Sequence, residues 1–152
     1  EEPYILRRPT AAAFRPSCQL DTHVAILTLF PGIREEVVAA VANIPGLRGW
    51  GRKTYGAGNA PRKQWLYEQL TALCQRGVVI VNTSQCATGA VDMGRYETSL
   101  RLIEAGVLNG RDMTVEAVVA KLMFLLGRET DLEVVKAKMN TSLAGEVTLL
   151  TT

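Results

Sequence analysis

The chain has 152 residues, the length of one ordinary domain that can bury a core without disulfides or metals. Hydrophobic residues make up 47% and charged residues 21% of the sequence, proportions typical of a folded globular protein, which argues against intrinsic disorder. The net charge of +2 is too small to indicate a nucleic-acid or anionic-membrane surface, and every apolar stretch is far shorter than the roughly 20 residues of a membrane helix.

The cysteine and histidine content points to a reducing environment. Three cysteines (Cys18, Cys74 and Cys86) and the single histidine, His23, lack the spacing of a metal site, so we predict no metal and no cofactor. An odd number of cysteines without paired spacing favours the cytoplasm. The first residue is a glutamate and no signal peptide precedes it, so we expect an excised or processed boundary.

The first part of the chain predicts a leading segment followed by a strand and a helix. Residues 1–20 mix charges and prolines without a period, and we interpret them as an interdomain linker or leading segment before a domain over residues 21–152. The apolar run at residues 24–30 predicts a buried parallel strand that ends at Pro31. Helical spacing of apolar residues follows over residues 37–44.

The middle of the chain predicts two more strands with a helix between them. Residues 50–55 indicate an imperfect strand, because glycine and arginine cost packing in a central strand; we expect it to be short, shifted or poorly ordered. A glycine-rich turn leads into a helix over residues 62–75. Residues 78–84, VVIVNTS, form the clearest strand, of the kind that is covered on both faces.

The last third predicts three helices. One covers residues 95–105 and ends at Gly106, and a short apolar element, Val107-Leu108, follows. The second covers residues 112–128, with Asp112 and Thr114 as candidate caps, and the third begins at the candidate cap Asp131. The closing GEVTLL, residues 145–150, is a candidate edge strand.

The alternation of strands and helices predicts an α/β fold, a small Rossmann-like domain. We expect a mostly parallel sheet of about four strands with helices on both faces. Ligands of such sheets bind at the carboxyl ends of the strands, where the loops TYGAGNAP and TSQCATG lie. Function is therefore sought at these two loops.

The first loop, residues 56–61, has two interpretations. Its small residues and the following helix can present backbone N–H groups to an anion, or they only permit a tight turn into the helix. The third glycine of a nucleotide-binding fingerprint is absent. The pattern therefore does not favour NAD.

The second loop carries Ser84, Gln85 and Cys86, whose hydroxyl, amide and thiol suit a small polar ligand. A nucleophilic Cys86 is disfavoured, because a catalytic thiol needs a base and His23 precedes another strand. Asp92 and Tyr96, at the entry to the next helix, either face a cleft or belong to a solvated helix start.

Several separated motifs, in order, resemble the C-terminal domain of cytoplasmic type I L-asparaginases. They are THVAILTLFPGI, TYGAGNAP, VVIVNTSQCATGAVDMGRYET, EAGVLNGRDMTVEAVVAKLMFLLG and LAGEVT. The resemblance implies hydrolysis of L-asparagine to aspartate and ammonia by an N-terminal domain that supplies the catalytic threonines. The T-G-G-T-I and T-D-T elements of that domain are absent from this sequence, so no catalytic residue is assigned here.

The resemblance also implies two sets of site residues. An asparagine effector or substrate site would include Lys53, Asn59, Ser84, Gln85 and Cys86; effector-responsive members can have arginine at the position of Lys53. Lysine weakens this case, because a planar fork that grips a carboxylate at two points becomes a point charge. The wall of a neighbouring subunit's active site would include Tyr55, Asp92 and Tyr96.

We therefore expect the chain to be inactive by itself and to function together with the N-terminal catalytic domain. The resemblance implies a homo-oligomer, either a dimer or a tetramer. We expect neither nucleic-acid nor membrane partners. An alternative is the asparaginase-like subunit of the archaeal amidotransferase that makes glutaminyl-tRNA. Another alternative is a non-catalytic module that binds an amino acid.

Overall fold

The computed structural model describes residues 16, 18–54, 60–84 and 97–148. Its strands form one parallel sheet in the order β1-β2-β3-β4, which confirms the predicted parallel α/β fold. The strands are β1 (Val24–Thr28), β2 (Gly49–Thr54), β3 (Val79–Ser84) and β4 (Leu108–Asn109). The helices are α1 (Glu35–Ala42), α2 (Gln64–Gln75), α3 (Glu97–Glu104), α4 (Val115–Leu126) and α5 (Leu132–Met139).

Each face of the sheet carries its own hydrophobic core. The crossover helices α1, α2 and α3 pack on one face, where the buried residues include Val38, Trp50, Leu70, Ile80 and Leu102. Helices α4 and α5 pack on the other, where the buried residues include Val79, Val81, Leu122, Val135 and Met139. The domain is therefore a three-layer sandwich with helices on both faces, as predicted.

Strand β3 explains why a continuous apolar run was the clearest signal. Val79 and Val81 point into the core under α4 and α5, while Ile80 points into the core under the three crossover helices. In a strand covered on both faces, neighbouring residues are both buried, so apolar residues follow one another as they do at the start of β3. The predicted strand at residues 78–84 is confirmed with its first residue one position later.

Strand β1 is an edge strand, and the prediction that it is buried was wrong. Among the described residues it pairs with β2 alone, and the side chain of Ile26 is 47% exposed. Apolar composition does not reveal whether a strand lies at the centre or at the edge of a sheet. In this domain the first strand is exposed on one side.

Strand β2 is full-length and central, so the expectation of a short or shifted strand was wrong. Its six residues pair with both β1 and β3. A Cβ on Gly49 would lie 3.0 Å from the Leu126 side chain, because α4 packs closely over this part of the sheet. The glycine that weakens strand propensity here makes room for a helix.

The end of the described chain is irregular, and the predicted edge strand was wrong for residues 145–148; residues 149–150 lie outside the described residues. The Glu146 carboxylate accepts hydrogen bonds from the amides of Leu143 and Ala144, at 3.0 and 2.7 Å. The amide of Thr148 donates to the Asp112 carboxylate at 2.9 Å. These side chains occupy N–H groups that a strand ladder would use.

The helix-capping predictions are mostly confirmed. The Thr114 hydroxyl accepts from the amide of Ala117 at 3.2 Å, and the Asp131 carboxylate accepts from Glu133 at 2.9 Å. Both residues satisfy first-turn amides that lack a partner within the helix. Asp112 holds Thr148 instead of capping α4.

Candidate functional site

The carboxyl ends of β2 and β3 form the edge at which the two candidate loops begin. Thr54 and Ser84 are partners in the parallel register, so the strands end side by side. The Thr54 hydroxyl donates to the carbonyl of Thr83 at 3.2 Å, and the Thr83 hydroxyl donates to the carbonyl of Arg52 at 3.3 Å. These two side-chain hydrogen bonds add to the backbone hydrogen bonds between β2 and β3, and they stabilise the strand ends from which the loops begin.

The structure brings two predicted site residues, Lys53 and Ser84, to this edge. Gly49 and Gly51 face α4, and residues of one strand alternate between faces, so Lys53 also points toward the α4 side. Ile80 faces the crossover helices, and residues two or four positions further along the same strand share its face. Ser84, four positions beyond Ile80, therefore lies on the side of the crossover helices, opposite to Lys53. A ligand shared by Lys53 and Ser84 would therefore lie across the end of the sheet.

Electrostatics agree with the direction of Lys53. The pKa of the Glu116 carboxyl, in the first turn of α4, is lowered by its own backbone amide and by Thr114, with a contribution from the charge of Lys53. An ammonium close to the positive end of a helix is unfavourable by itself, and a first-turn carboxylate offsets it. Lys53 thus lies in a balanced charge environment near the start of α4.

The other predicted site residues lie outside the described residues, in the segments 55–59 and 85–96. These residues are Tyr55, Asn59, Gln85, Cys86, Asp92 and Tyr96. Their membership of the site stays a prediction.

A layer of buried polar residues beneath this edge was missed from the sequence as a possible part of the site. Arg52 and Asn82 are direct partners in the register, and both are 0% exposed on the face covered by the crossover helices. Ser99, in α3, is also fully buried. Among the described residues, the side-chain amide of Asn82 and the hydroxyl of Ser99 have no hydrogen-bond partner. The available signal was an arginine and an asparagine inside two strands that are otherwise mostly apolar or small.

Nucleophilic chemistry finds little support in the described residues. The pKa of the Cys74 thiol is raised to about 11, because burial penalises the thiolate more than the charge of Lys136 favours it. His23 precedes β1, at the end of the sheet opposite Lys53 and Ser84. The Nδ1 of His23 lies 2.8 Å from the Asp21 carboxylate, which also accepts a hydrogen bond from Arg48 at 2.6 Å. These three side chains therefore stabilise the segment that leads into β1.

Two further features of the described residues bear on function. Within the described ranges, no cluster of three or more histidine, cysteine or acidic side chains has the geometry to hold a metal ion. No helix in the same part of the chain is long and apolar enough to cross a membrane.

Comparison with known proteins gives a consistent answer. The family model of the glutaminase/asparaginase C-terminal domain matches residues 23–139. L-asparaginase 1 of Escherichia coli is 40% identical over 125 residues, which cover 82% of this chain and 37% of that protein. The crystal structure of L-asparaginase I from Vibrio cholerae superposes with a TM-score of 0.80 at 43% identity, covering 85% of this chain and 39% of the other.

A third relative carries a different name. It is one of the subunits of the glutamyl-tRNA(Gln) amidotransferase of Pyrococcus horikoshii, 35% identical over 130 residues, which cover 86% of this chain and 29% of that protein. The chain therefore spans well under half the length of each of these three relatives. The matched region spans most of the chain and the parallel sheet agrees with it, so the chain belongs to the glutaminase/asparaginase C-terminal domain family.

Proposed function

We propose that this chain is the C-terminal part of a cytoplasmic L-asparaginase and binds L-asparagine, as substrate or effector, at the carboxyl edge of its sheet. The observation that supports this proposal most directly is the position of Lys53 and Ser84. They lie at the ends of two paired central strands, where the candidate loops begin. Sites of open parallel sheets lie at this edge.

The chemistry of the five candidate residues suits an amino-acid ligand. The Lys53 ammonium can neutralise the ligand's α-carboxylate, and the Ser84 hydroxyl can donate or accept a hydrogen bond. Asn59 and Gln85 bring side-chain amides that complement an amide, and Cys86 adds a small polarisable wall. None of these groups forms a pair of nucleophile and base.

We therefore assign the chain a role in recognition and not in bond cleavage. In the complete enzyme, an N-terminal domain supplies the nucleophile, and the assembled protein hydrolyses L-asparagine to L-aspartate and ammonia. Tyr55, Asp92 and Tyr96 complete the substrate site of a neighbouring subunit in a homo-oligomer. The isolated chain is expected to release no ammonia from asparagine.

Calorimetry with asparagine tests the binding site. The chain is fused behind the part of E. coli L-asparaginase 1 that precedes the matched region, and asparagine is titrated into the fusion. We expect K53M to weaken binding at least tenfold, since the carboxylate loses its counter-charge, and K53R to strengthen it through two-point contact. The control is K136M, which removes a different lysine. Lys136 lies in α5 and pairs with the surface residue Glu133. Equal affinities for K53M, K136M and the unsubstituted protein would contradict the site.

Ammonia release tests the assignment of roles. We expect activity in the fusion and none in the chain alone, because the nucleophile belongs to the added domain. Hydrolysis by the purified chain at the rate of an intact enzyme would contradict this division of labour.

The second candidate is an amidotransferase component that delivers ammonia to a partner protein, and the 35% identity to the P. horikoshii amidotransferase favours it. A stable complex with tRNA and a kinase-like partner protein would support this candidate over a free asparaginase. The net charge of +2 argues against direct contact of this chain with RNA. A module that only senses an amino acid would bind asparagine in the chain alone and leave the fusion without hydrolysis.

A further inference from the structure

A cavity of about 760 Å³ opens between α4, α5 and the irregular segment that follows them, and we call it the α4–α5 cavity. Its volume lies within the range of pockets that hold small molecules. Val118 and Leu122 form the buried side of α4 that packs on the sheet. Ala117, Ala120 and Phe124 line the cavity instead, so the cavity lies on another side of the same helix.

The wall that α4 contributes to this cavity is apolar and has room above it. Ala117, Ala120 and Phe124 follow one another at helical spacing, and the two alanines carry only a methyl group each. Leu143, from the irregular segment, adds to this wall. The interior of the cavity therefore suits the apolar body of a ligand.

The buried lysine of the cavity has no capacity left for a ligand. The Lys121 ammonium contacts the Glu146 carboxylate at 2.5 Å and donates to the carbonyls of Met139 and Thr141, at 3.1 and 2.5 Å. An ammonium carries one hydrogen for each of these three partners. Lys121 therefore stabilises the protein and does not attract an anion.

The carboxylates of the cavity are paired in the same way. Glu129 contacts the Lys138 ammonium at 2.5 Å, and Glu146 is the partner of Lys121. These two are the acidic residues among those that line the cavity. Because each already has a lysine as its partner, the cavity offers little to a cationic ligand.

Arg128 differs from the other charged residues of the cavity. Its side chain is exposed, and its guanidinium lies over the ring of Phe124, 4.7 Å from the ring centre. None of the ion pairs between described residues includes Arg128. A ring contact leaves guanidinium N–H donors available, and these donors match the two oxygens of a carboxylate. The charge of the cavity thus complements an anion at one point, next to the apolar wall.

We propose that the α4–α5 cavity binds a small monocarboxylate whose carboxylate pairs with Arg128 and whose apolar body packs on Ala117, Ala120 and Phe124. This site is separate from the proposed asparagine site, because neither Lys53 nor Ser84 lines the cavity. Failure of either site leaves the other unaffected.

Calorimetry with phenylpropionate, an acid with an apolar body, tests the ligand class on the 152-residue chain. Three related compounds serve as controls: phenylpropionamide lacks the charge, phenylpropylamine reverses it and propionate lacks the apolar body. We expect saturable binding of phenylpropionate and at least tenfold weaker binding of each control, since loss of a charge-assisted hydrogen bond or of the apolar contact costs at least that factor. Absence of saturable binding, or an amide or amine that binds as tightly as the acid, would overturn the proposal.

Substitution of the arginine tests the anchor. R128M is expected to weaken phenylpropionate binding at least tenfold, and R128K is expected to be intermediate, because a lysine keeps the charge and loses the two-point contact. The control R34M removes an arginine that pairs with Glu36 on the surface beside α1. Equal affinities of R128M, R34M and the unsubstituted chain would overturn the proposal.

A matched pair of tryptophan substitutions tests the apolar wall. Ala120 in α4 and Ala40 in α1 are both exposed helical alanines, so a larger side chain at either position is compatible with folding. A120W fills the cavity and is expected to weaken phenylpropionate binding at least tenfold, whereas A40W leaves it unchanged. Circular dichroism checks that both variants are folded. Equal effects of the two substitutions would place the ligand elsewhere and overturn the proposal.

The carboxyl edge of the sheet is the competing location for the acid. The phenylpropionate titration is therefore repeated in the presence of excess L-asparagine. An unchanged affinity supports the α4–α5 cavity. Displacement of phenylpropionate by asparagine would show that both compounds occupy one site, and the proposal would be wrong.

Discussion

At the scale of single residues, burial gives two cysteines different reactivity although the sequence does not distinguish them. Cys18 is exposed, whereas Cys74 is half-buried. Its Sγ would lie 3.3 Å from a Cβ placed on Gly106, so the thiol packs against the turn after α3. Burial raises the pKa of Cys74 to about 11, and very little of it is thiolate at neutral pH. Spacing along the chain could not have distinguished the two.

Alkylation of the native chain should follow this difference. With iodoacetamide at pH 8, we expect Cys18 to react at the rate of a free thiol and Cys74 to react at least tenfold more slowly. Peptide mass spectrometry assigns the modified sites. In denaturant the two rates should converge, since the burial that shields Cys74 and raises its pKa depends on folding. Equal rates in the native chain would show that Cys74 is not shielded.

The candidate site shows the same limit of residue-level prediction. Lys53 and Ser84 were expected together, and the structure puts both at the carboxyl edge but directs them to opposite faces. Arg52 was interpreted as a flaw in a strand, although it is fully buried beside Asn82. Sequence motifs identify an edge, whereas the direction of each side chain depends on the register of the strands.

At the scale of secondary-structure elements, a glycine inside β2 and a glycine directly after β4 have different roles. A Cβ on Gly51 would meet Val118 at 3.6 Å, an ordinary packing distance, so this position has room for a methyl group. A Cβ on Gly110, directly after β4, would lie 2.6 Å from the carbonyl oxygen of Asn82. That carbonyl also accepts the amide of Gly110 at 2.8 Å, so the two backbones cannot separate without losing a bond.

Alanine substitutions at these two positions should have opposite effects. We expect G51A to raise the free energy of unfolding by about 0.5 kcal/mol, because alanine loses less conformational entropy than glycine in a strand. G110A should lower it by about 2 kcal/mol through overpacking against β3. Urea unfolding followed by circular dichroism measures both. A destabilised G51A would mean that α4 packs more tightly on β2 than the distances indicate.

At the scale of the whole molecule, one ion pair joins α4 to the end of the described chain. The Lys121 ammonium is buried and contacts the Glu146 carboxylate at 2.5 Å. It also donates to the carbonyl of Met139 at 3.1 Å, at the end of α5. Lys121 therefore links two helices and the irregular segment that follows them, which explains how this segment is held without a strand.

The pH dependence of stability should report this ion pair. Burial raises the pKa of Glu146, but hydrogen bonds from Lys121 and from the amides of Ala144 and Leu143 outweigh it and lower the pKa from 4.5 to about 2. A depressed folded-state pKa stabilises the protein above pH 4.5, and this contribution is lost as the pH falls toward 2. We expect E146Q to lower the free energy of unfolding by about 3 kcal/mol at pH 7, and to have little effect near pH 2.

The control for this prediction is E133Q. Glu133 pairs with Lys136 on the surface, and its side chain is 78% exposed, so its removal should cost less than about 1 kcal/mol. Denaturant unfolding of the three proteins between pH 2 and 7 gives the comparison. If the E146Q and unsubstituted proteins lose stability in parallel below pH 4.5, the acid sensitivity arises elsewhere.

The sequence by itself determined the types of most elements, the parallel α/β class, two helix caps and the family. These features depend on local periodicity, capping chemistry and motifs that are continuous in the chain. Only the tertiary structure decided that β1 lies at an edge, that β2 is a full central strand and that residues 145–148 follow an irregular course. The physical reason is that each of these outcomes depends on distant partners: α4 against Gly49, Lys121 against Glu146, and the absence of a described strand beyond β1.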